Sequence, residues 1–164
     1  MEKKPVRLYN ILLPIWLLWI FPQVWLVILP GNLLIDCAVL LLALAALRIP
    51  AKRPVLRRVW WRLWLNGFLA DGAGVAWMVL GMFSAASGEG WWAENLTPIT
   101  GSPFRTPLAL AWTLIGVAVA GVCIWFLDRR ALRRCPELDG RQRHIATLAL
   151  AVVTAPWLFL VPMY

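Results

Sequence analysis

The sequence predicts an all-α polytopic membrane protein, a compact bundle of five transmembrane helices with a cytoplasmic N terminus and an external C terminus. Two observations predict it. Apolar runs of about 20 residues, the length needed to cross a bilayer, recur along the chain, and the basic residues are confined to short segments between those runs. Hydrophobic residues make up 62% of the chain and charged residues 15%, against about 45–50% and about 25% in soluble domains. The chain is therefore expected to be one membrane domain, residues 1–164.

The basic segments predict the orientation. Of the 16 Lys and Arg residues, all but Arg105 fall within residues 3–7, 48–62 and 129–143. Such segments stay on the cytoplasmic side because Lys and Arg resist translocation. An even number of crossings must then separate consecutive segments, so they enclose two helical hairpins, and a last apolar run carries the C terminus outside. The expected location is a bacterial cytoplasmic membrane.

Each span is placed by its apolar length. A turn at Pro30-Gly31-Asn32 is predicted to join the first two spans on the outside, and an external loop over residues 85–106 to join the third and fourth. The five predicted spans cover residues 8–29, 33–47, 63–84, 107–127 and 145–163.

A stretch of alternating Arg and Trp precedes the third span and predicts an anchor at the cytoplasmic interface. Aromatic rings favour the headgroup level, and basic side chains attract anionic lipid. Stacking on nucleobases is the alternative for such a stretch in a soluble protein, but a span begins within the same helical turn, so we expect lipid as the partner and no nucleic acid. The predicted lipid-interface residues are Arg57, Arg58, Trp60, Trp61, Arg62 and Trp64.

Catalytic and metal-binding motifs are absent from the sequence. It contains no phosphate-binding loop, no Gly-x-Ser-x-Gly, no His-Glu-x-x-His and no Cys-x-x-Cys. His144 is the only histidine. We therefore expect no enzyme activity, no metal and no cofactor. Cys135 is expected in a solvated cytoplasmic loop, where Arg133 and Arg134 would lower its thiol pKa.

Polar residues at membrane depth are the candidate site for an ion or substrate. Asp36 and Asp71 lie roughly 18 and 13 Å from the inner ends of their predicted spans at 1.5 Å per residue, so they could share one level. An aspartate near the centre of a span costs about 2.5–3.5 kcal/mol in insertion assays, so neither should face lipid. Arg105 has three open interpretations: a pair with Asp36, a pair with Glu89 or Glu94 in its own loop, or a receptor for an anionic solute. The candidate residues are Asp71, Asp36, Asn66, Gln23 and Arg105.

Small residues at helical spacing predict close packing between the third and fourth spans. Whether these stripes pack within one chain or against a second copy is open from the sequence. The stripe on the third span is Gly67, Ala70, Asp71, Gly74, Met78 and Gly81, and that on the fourth is Ala109, Thr113, Gly116, Ala120 and Cys123.

Two functions fit these features. The first is a carrier or channel for an ion or small solute that uses the intramembrane carboxylates. The second is an accessory or scaffold subunit that binds another membrane protein or lipid, with the aspartates serving as interhelical hydrogen-bond partners. Because five helices enclose little space, a pore would require a homo-oligomer or a larger membrane complex.

Overall fold

The computed structural model describes residues 22–162, with side chains from Leu26 onward. All regular structure in this range is helical. Four segments are long and apolar enough to cross a membrane: 26–46, 52–87, 107–132 and 140–160. The helices are α1 (Pro22–Ala46), α2 (Lys52–Ser87), α3 (Trp91–Leu96), α4 (Pro107–Leu132) and α5 (Gly140–Val153), and short 3-10 turns cover Thr97–Thr100, Pro103–Arg105 and Trp157–Leu160.

The predicted turn at Pro30-Gly31-Asn32 is wrong, because α1 runs through it without a break from Pro22 to Ala46. Pro30 removes one backbone donor, whereas a turn inside an apolar layer would leave several backbone groups without partners, so the helix is the cheaper structure in lipid. The separate spans 8–29 and 33–47 are therefore replaced, over the described residues, by one helix. Residues 8–21, and with them the predicted cytoplasmic N terminus, lie outside the described residues.

Helix α2 begins eleven residues before the predicted span 63–84. It contains 36 residues and is about 54 Å long at 1.5 Å per residue, whereas a hydrocarbon core is about 30 Å thick. Its basic N-terminal turns therefore extend beyond the apolar layer as helix. Pro54 lies in the first turn, where a missing N–H interrupts no helical hydrogen bond.

The two C-terminal helices also differ from the predicted spans 107–127 and 145–163 at their ends. Helix α4 begins at Pro107 as predicted but ends at Leu132, so it includes Asp128. Helix α5 begins early because Asp139 and Gln142 form a capping box, with distances of 2.7 and 3.0 Å between their side-chain oxygens and each other's backbone nitrogens. It ends at Val153, shortly before Pro156, which cannot continue a helix.

The predicted external loop 85–106 is a folded segment. Helix α3 and two 3-10 turns occupy most of it. Leu96 and Ile99 are buried against Ala109 of α4, and the Thr106 hydroxyl donates a hydrogen bond to the Asn95 carbonyl. This segment therefore closes the end of the α2–α4 pair opposite the basic loops.

Helices α2 and α4 form the central pair of the bundle. The indole of Trp77 donates to the carbonyl of Trp112 at 3.0 Å, the indole of Trp112 donates to the carbonyl of Trp77 at 3.2 Å, and the two rings stack with centroids 4.5 Å apart. Gly74 lies against Gly116 and Ala120. The predicted small-residue stripes thus pack against each other within one chain, with Ala70, Gly74, Gly81, Ala109, Thr113, Gly116 and Ala120 all buried.

The α1–α2 and α4–α5 connections lie at the same end of the bundle. Arg58 forms an ion pair with Glu137 at 3.1 Å and donates to the Arg134 carbonyl at 3.2 Å. The second and third basic segments therefore share one end, as two crossings between them require.

Gly81→Ala should destabilise the protein by about 1–3 kcal/mol, the usual cost of overpacking a tight contact. A Cβ at Gly81 would meet the Trp112 indole and would lie 2.9 Å from the Ile99 side chain. Gly72→Ala is the matched control, since the same helix there leaves open space and alanine favours helix. Thermal unfolding in detergent measures both variants. Equal loss of stability would contradict the packing described for α2 and α4.

Cysteines introduced at Ser87 and Arg133 should be labelled by a membrane-impermeant maleimide from opposite sides of the membrane. Both positions are exposed, and they lie at opposite ends of the bundle. The positive-inside pattern predicts Arg133→Cys on the cytoplasmic side and Ser87→Cys outside. Labelling of both from one side of sealed vesicles would show that α4, the only long helix between these two positions, does not cross the membrane.

Candidate functional site

Three aspartates converge from three helices in the half of the bundle nearer the basic end. Asp36 comes from α1, Asp71 from α2 and Asp128 from α4. The exposed fraction is 7% for Asp36 and 2% for Asp128, and Asp71 is partly buried. These are the acidic side chains in the described parts of the long apolar helices, so the carboxylates at membrane depth form one cluster.

Asp36 fits against a glycine of α2. An added Cβ at Gly67 would lie 3.4 Å from its Oδ2 atom, so the missing side chain leaves room for the carboxyl group. Gly67 and Asp71 are one helical turn apart on the same face of α2. Asp36 interacts electrostatically with Asp71 and with Asp128. The sequence left open whether Asp36 and Asp71 share one level. In the structure the two interact electrostatically, and Asp36 is the member of the cluster that also interacts with Asp128.

Asp128 is the site residue that the sequence analysis missed. It accepts a hydrogen bond from the Asn66 side chain, with 2.9 Å between Asn66 Nδ2 and Asp128 Oδ1. The sequence analysis ended the fourth span at Leu127 and left Asp128 with the basic segment beside Arg129. The missed signal was periodic: the buried positions Ala120, Ile124 and Asp128 continue the predicted small-residue stripe at four-residue spacing.

The basic side chains near the cluster bind elsewhere. Within residues 26–162 the ion pair found is Arg58 with Glu137, so none of the three aspartates is salt-bridged there. Arg62 lies over the Trp61 ring at 4.6 Å, and Arg129 lies over the Trp125 ring at 5.0 Å. Arg143 donates to the carbonyls of Leu132 and Leu138 at 3.1 and 3.0 Å. The cluster therefore presents carboxylates without a neutralising cation from these residues.

The other predicted site residues lie apart from the cluster. Gln23 is in the first turn of α1, about 20 Å along the helix from Asp36 at 1.5 Å per residue, and its side chain lies outside the described ones. Arg105 is exposed and precedes α4, about 31 Å along that helix from Asp128. Asn66 is therefore the predicted polar partner that the fold brings to the carboxylates.

The Arg and Trp stretch at the start of α2 divides into exposed and bound side chains. Trp60 and Trp61 are exposed, as is Arg57. Trp64 instead donates from its indole to the Leu29 carbonyl of α1 at 2.9 Å, and Arg58 is held by Glu137. The side chains of this stretch therefore do not form one uniform lipid-facing surface.

Cys135 is buried, so the expectation that it lies in solvent with a lowered thiol pKa is wrong. Burial raises its pKa, and the nearby Glu137 carboxylate adds to the increase. Arg58 and Arg143 act in the opposite direction but do not reverse it. The side chains of the adjacent Arg133 and Arg134 are exposed to solvent. Their charge therefore did not predict the direction in which the pKa of Cys135 is shifted.

The chemistry available to the cluster is the binding of positive charge. Grouped carboxylates in a site of low dielectric attract a proton or cation strongly. The described residues contain no group of three His, Cys, Asp or Glu side chains with the geometry of a metal site. Comparison of the chain with protein-family models, with characterised proteins and with solved structures finds no match.

Asn66→Ala should destabilise the protein by about 1–3 kcal/mol, because it leaves the buried Asp128 carboxyl group without its donor. Asn66→Ala combined with Asp128→Ala should cost less than the sum of the two single changes. Asn95→Ala is the matched control, since its amide bonds only to the carbonyl of Trp91 in the exposed α3. Chemical or thermal unfolding in detergent gives the comparison, and strict additivity would show that the bond does not stabilise the fold.

Proposed function

We propose that this chain is a multi-pass membrane protein that carries protons or small monovalent cations through its aspartate cluster. The observation that supports this proposal best is the environment of Asp36. Asp36 is almost wholly buried, has no hydrogen-bond or ion-pair partner among the described side chains, and interacts electrostatically with two further carboxylates. Binding a proton or a cation stabilises a carboxylate in this environment.

The three carboxylates are staggered along the bundle axis. Asp128 lies at the level of its partner Asn66, Asp36 at the level of Gly67, and Asp71 one helical turn beyond Gly67. Asp71 is five residues beyond Asn66, so the series extends over about 7.5 Å along α2. It leads from the inner end of α4 into the middle of the bundle. Such a series gives a proton or cation successive acceptors along α2.

The energetic cost of the cluster also favours a functional role. Each aspartate at the centre of a span costs about 2.5–3.5 kcal/mol in insertion assays. A single interhelical hydrogen bond in a membrane contributes only about 0.6 kcal/mol on average. Hydrogen bonding between helices therefore does not offset the insertion cost of the three aspartates. Of the three, Asp128 has such a bond, to Asn66. Acidic residues inside membrane spans commonly lie on proton or ion pathways.

An accessory subunit is the second candidate, and the Asn66–Asp128 bond is the observation that favours it. This bond joins α2 to α4 and has the form of an interhelical polar contact. In that case the acidic residues would stabilise a scaffold, and their ionisable character would be irrelevant. Neutral isosteres of Asp36 and Asp71 separate the two candidates.

Asp36→Asn and Asp71→Asn should each reduce transport at least tenfold while leaving the fold intact, because the amide keeps the size of the side chain but cannot exchange a proton or neutralise a cation. The measurement is flux in proteoliposomes under an imposed ion gradient, with an enclosed pH-sensitive dye for protons and with sodium- and potassium-sensitive dyes for the two cations. Glu89→Gln is the matched control, since Glu89 is an exposed carboxylate outside the long helices. It should transport like the parent protein.

Two results would contradict the proposal. Parent protein that moves none of the three ions above the level of empty liposomes would remove the carrier function. Equal flux in the parent and in both aspartate variants would move the pathway away from the cluster. Melting temperatures of all variants are compared first, so that a loss of flux is not a loss of fold.

A further inference from the structure

Two adjoining clefts at the basic end of the bundle are lined by cationic side chains. The first has a volume of about 660 Å³ and lies along the α1–α2 connection, where Arg48, Lys52 and Arg53 line it. The second has a volume of about 560 Å³ and is lined by Arg53, Pro54, Arg57 and Arg58. They share Arg53 and Pro54, so they form one basic surface, termed the basic cleft. No acidic residue lines either part.

The basic cleft is electrostatically unfavourable on its own. Arg58 is paired with Glu137, but the described residues provide no ion pair for Arg48, Lys52, Arg53 or Arg57. The first turn of α2 contains no acidic residue, and Ala51 provides no side-chain cap. The backbone N–H groups of that turn add further positive potential. Charges of one sign gathered in this way favour a bound anion.

Arg48 is held in a backbone conformation that normally selects glycine. Its φ is 56°, and it follows the end of α1, where hydrogen bonds join Ile49 N to Leu44 O and Arg48 N to Ala45 O at 2.9 Å each. This is the Schellman arrangement, in which glycine is the usual residue at the left-handed position. An arginine there directs a cation into the basic cleft at some conformational cost.

The basic cleft lies at the level of lipid headgroups. The apolar stretch Leu26–Ala46 contains 21 residues, enough to cross a hydrocarbon core of about 30 Å, and Arg48 follows it by two residues. The exposed rings of Trp60 and Trp61 lie on the same helix as Arg53 and Arg57. The cleft therefore meets the bilayer surface.

We infer that the basic cleft is a binding site for the phosphate group of an anionic lipid. Arg48, Lys52, Arg53 and Arg57 bind the phosphate, and guanidinium groups suit its oxygens because they donate paired hydrogen bonds. The site overlaps the predicted interface stretch at Arg57 and Arg58, but it is centred on the α1–α2 connection, which that stretch does not include. It is independent of the aspartate cluster and of the transport proposed for it.

The test compares lipid binding by the purified full-length protein in nanodiscs made of phosphatidylcholine with a minor fraction of phosphatidylglycerol. Native mass spectrometry counts the phosphatidylglycerol molecules retained. The cleft variant is Arg48→Gln/Lys52→Gln/Arg53→Gln. The matched control is Arg130→Gln/Arg133→Gln/Arg141→Gln, which removes the same charge from exposed side chains at the same end. A basic residue that contacts the lipid phosphate corresponds to about a fivefold gain in affinity, so the cleft variant should lose retention at least tenfold. The three control side chains line neither cleft, so the control should lose less than threefold.

Arg48→Gly keeps the proposal testable if the triple variant folds poorly. Glycine suits the left-handed position, so this variant should unfold at the parent temperature or above it while retaining several-fold less phosphatidylglycerol. Equal loss of lipid in the cleft and control variants would overturn the site, as would unchanged retention in Arg48→Gly. Stabilisation of the parent by inorganic phosphate in pure phosphatidylcholine nanodiscs, without retention of phosphatidylglycerol, would overturn the lipid as the source of the phosphate.

Discussion

The close contact between α2 and α4 is the interaction on which the rest of the structure depends. Water does not drive helices together inside a bilayer, so association relies on packing and on hydrogen bonds between helices. Here the glycines of α2 let the backbones approach, and Trp77 and Trp112 exchange indole hydrogen bonds across the contact. This contact fixes Asn66 beside Asp128 and orients Gly67 and Asp71 toward α1. The aspartate cluster is a consequence of that packing.

The sequence predicted the parts of this fold that depend on repeated signals. The small-residue stripes each recur over about four helical turns, so they identified the α2–α4 contact and its glycines correctly. The basic segments likewise placed the α1–α2 and α4–α5 connections at one end, which the Arg58–Glu137 pair confirms. Asp71 is the candidate site residue that lay within one of these stripes, and it interacts electrostatically with Asp36 in the structure.

Predictions that relied on single residues were less successful. Pro30, Gly31 and Asn32 have the composition of a turn, but a helix in lipid keeps its hydrogen bonds at the cost of one proline. Asp128 was left out because the predicted span ended at Leu127, although its side chain belongs to the buried stripe. Cys135 was expected in solvent for the same reason, whereas the α4–α5 connection folds over it. Backbone hydrogen bonding decided the first case, and tertiary packing decided the cases of Asp128 and Cys135. The identity of the neighbouring residues in the sequence predicts neither.

Infrared difference spectroscopy tests most directly whether the buried carboxylates bind positive charge. Reconstituted protein is titrated with protons, sodium or potassium, and the carboxyl stretching bands are compared between the parent and Asp36→Asn. The account predicts a change of carboxyl bands in the parent that is markedly reduced in the variant. Bands from buried carboxyl groups that respond to none of the three ions, or that respond identically in the variant, would contradict it.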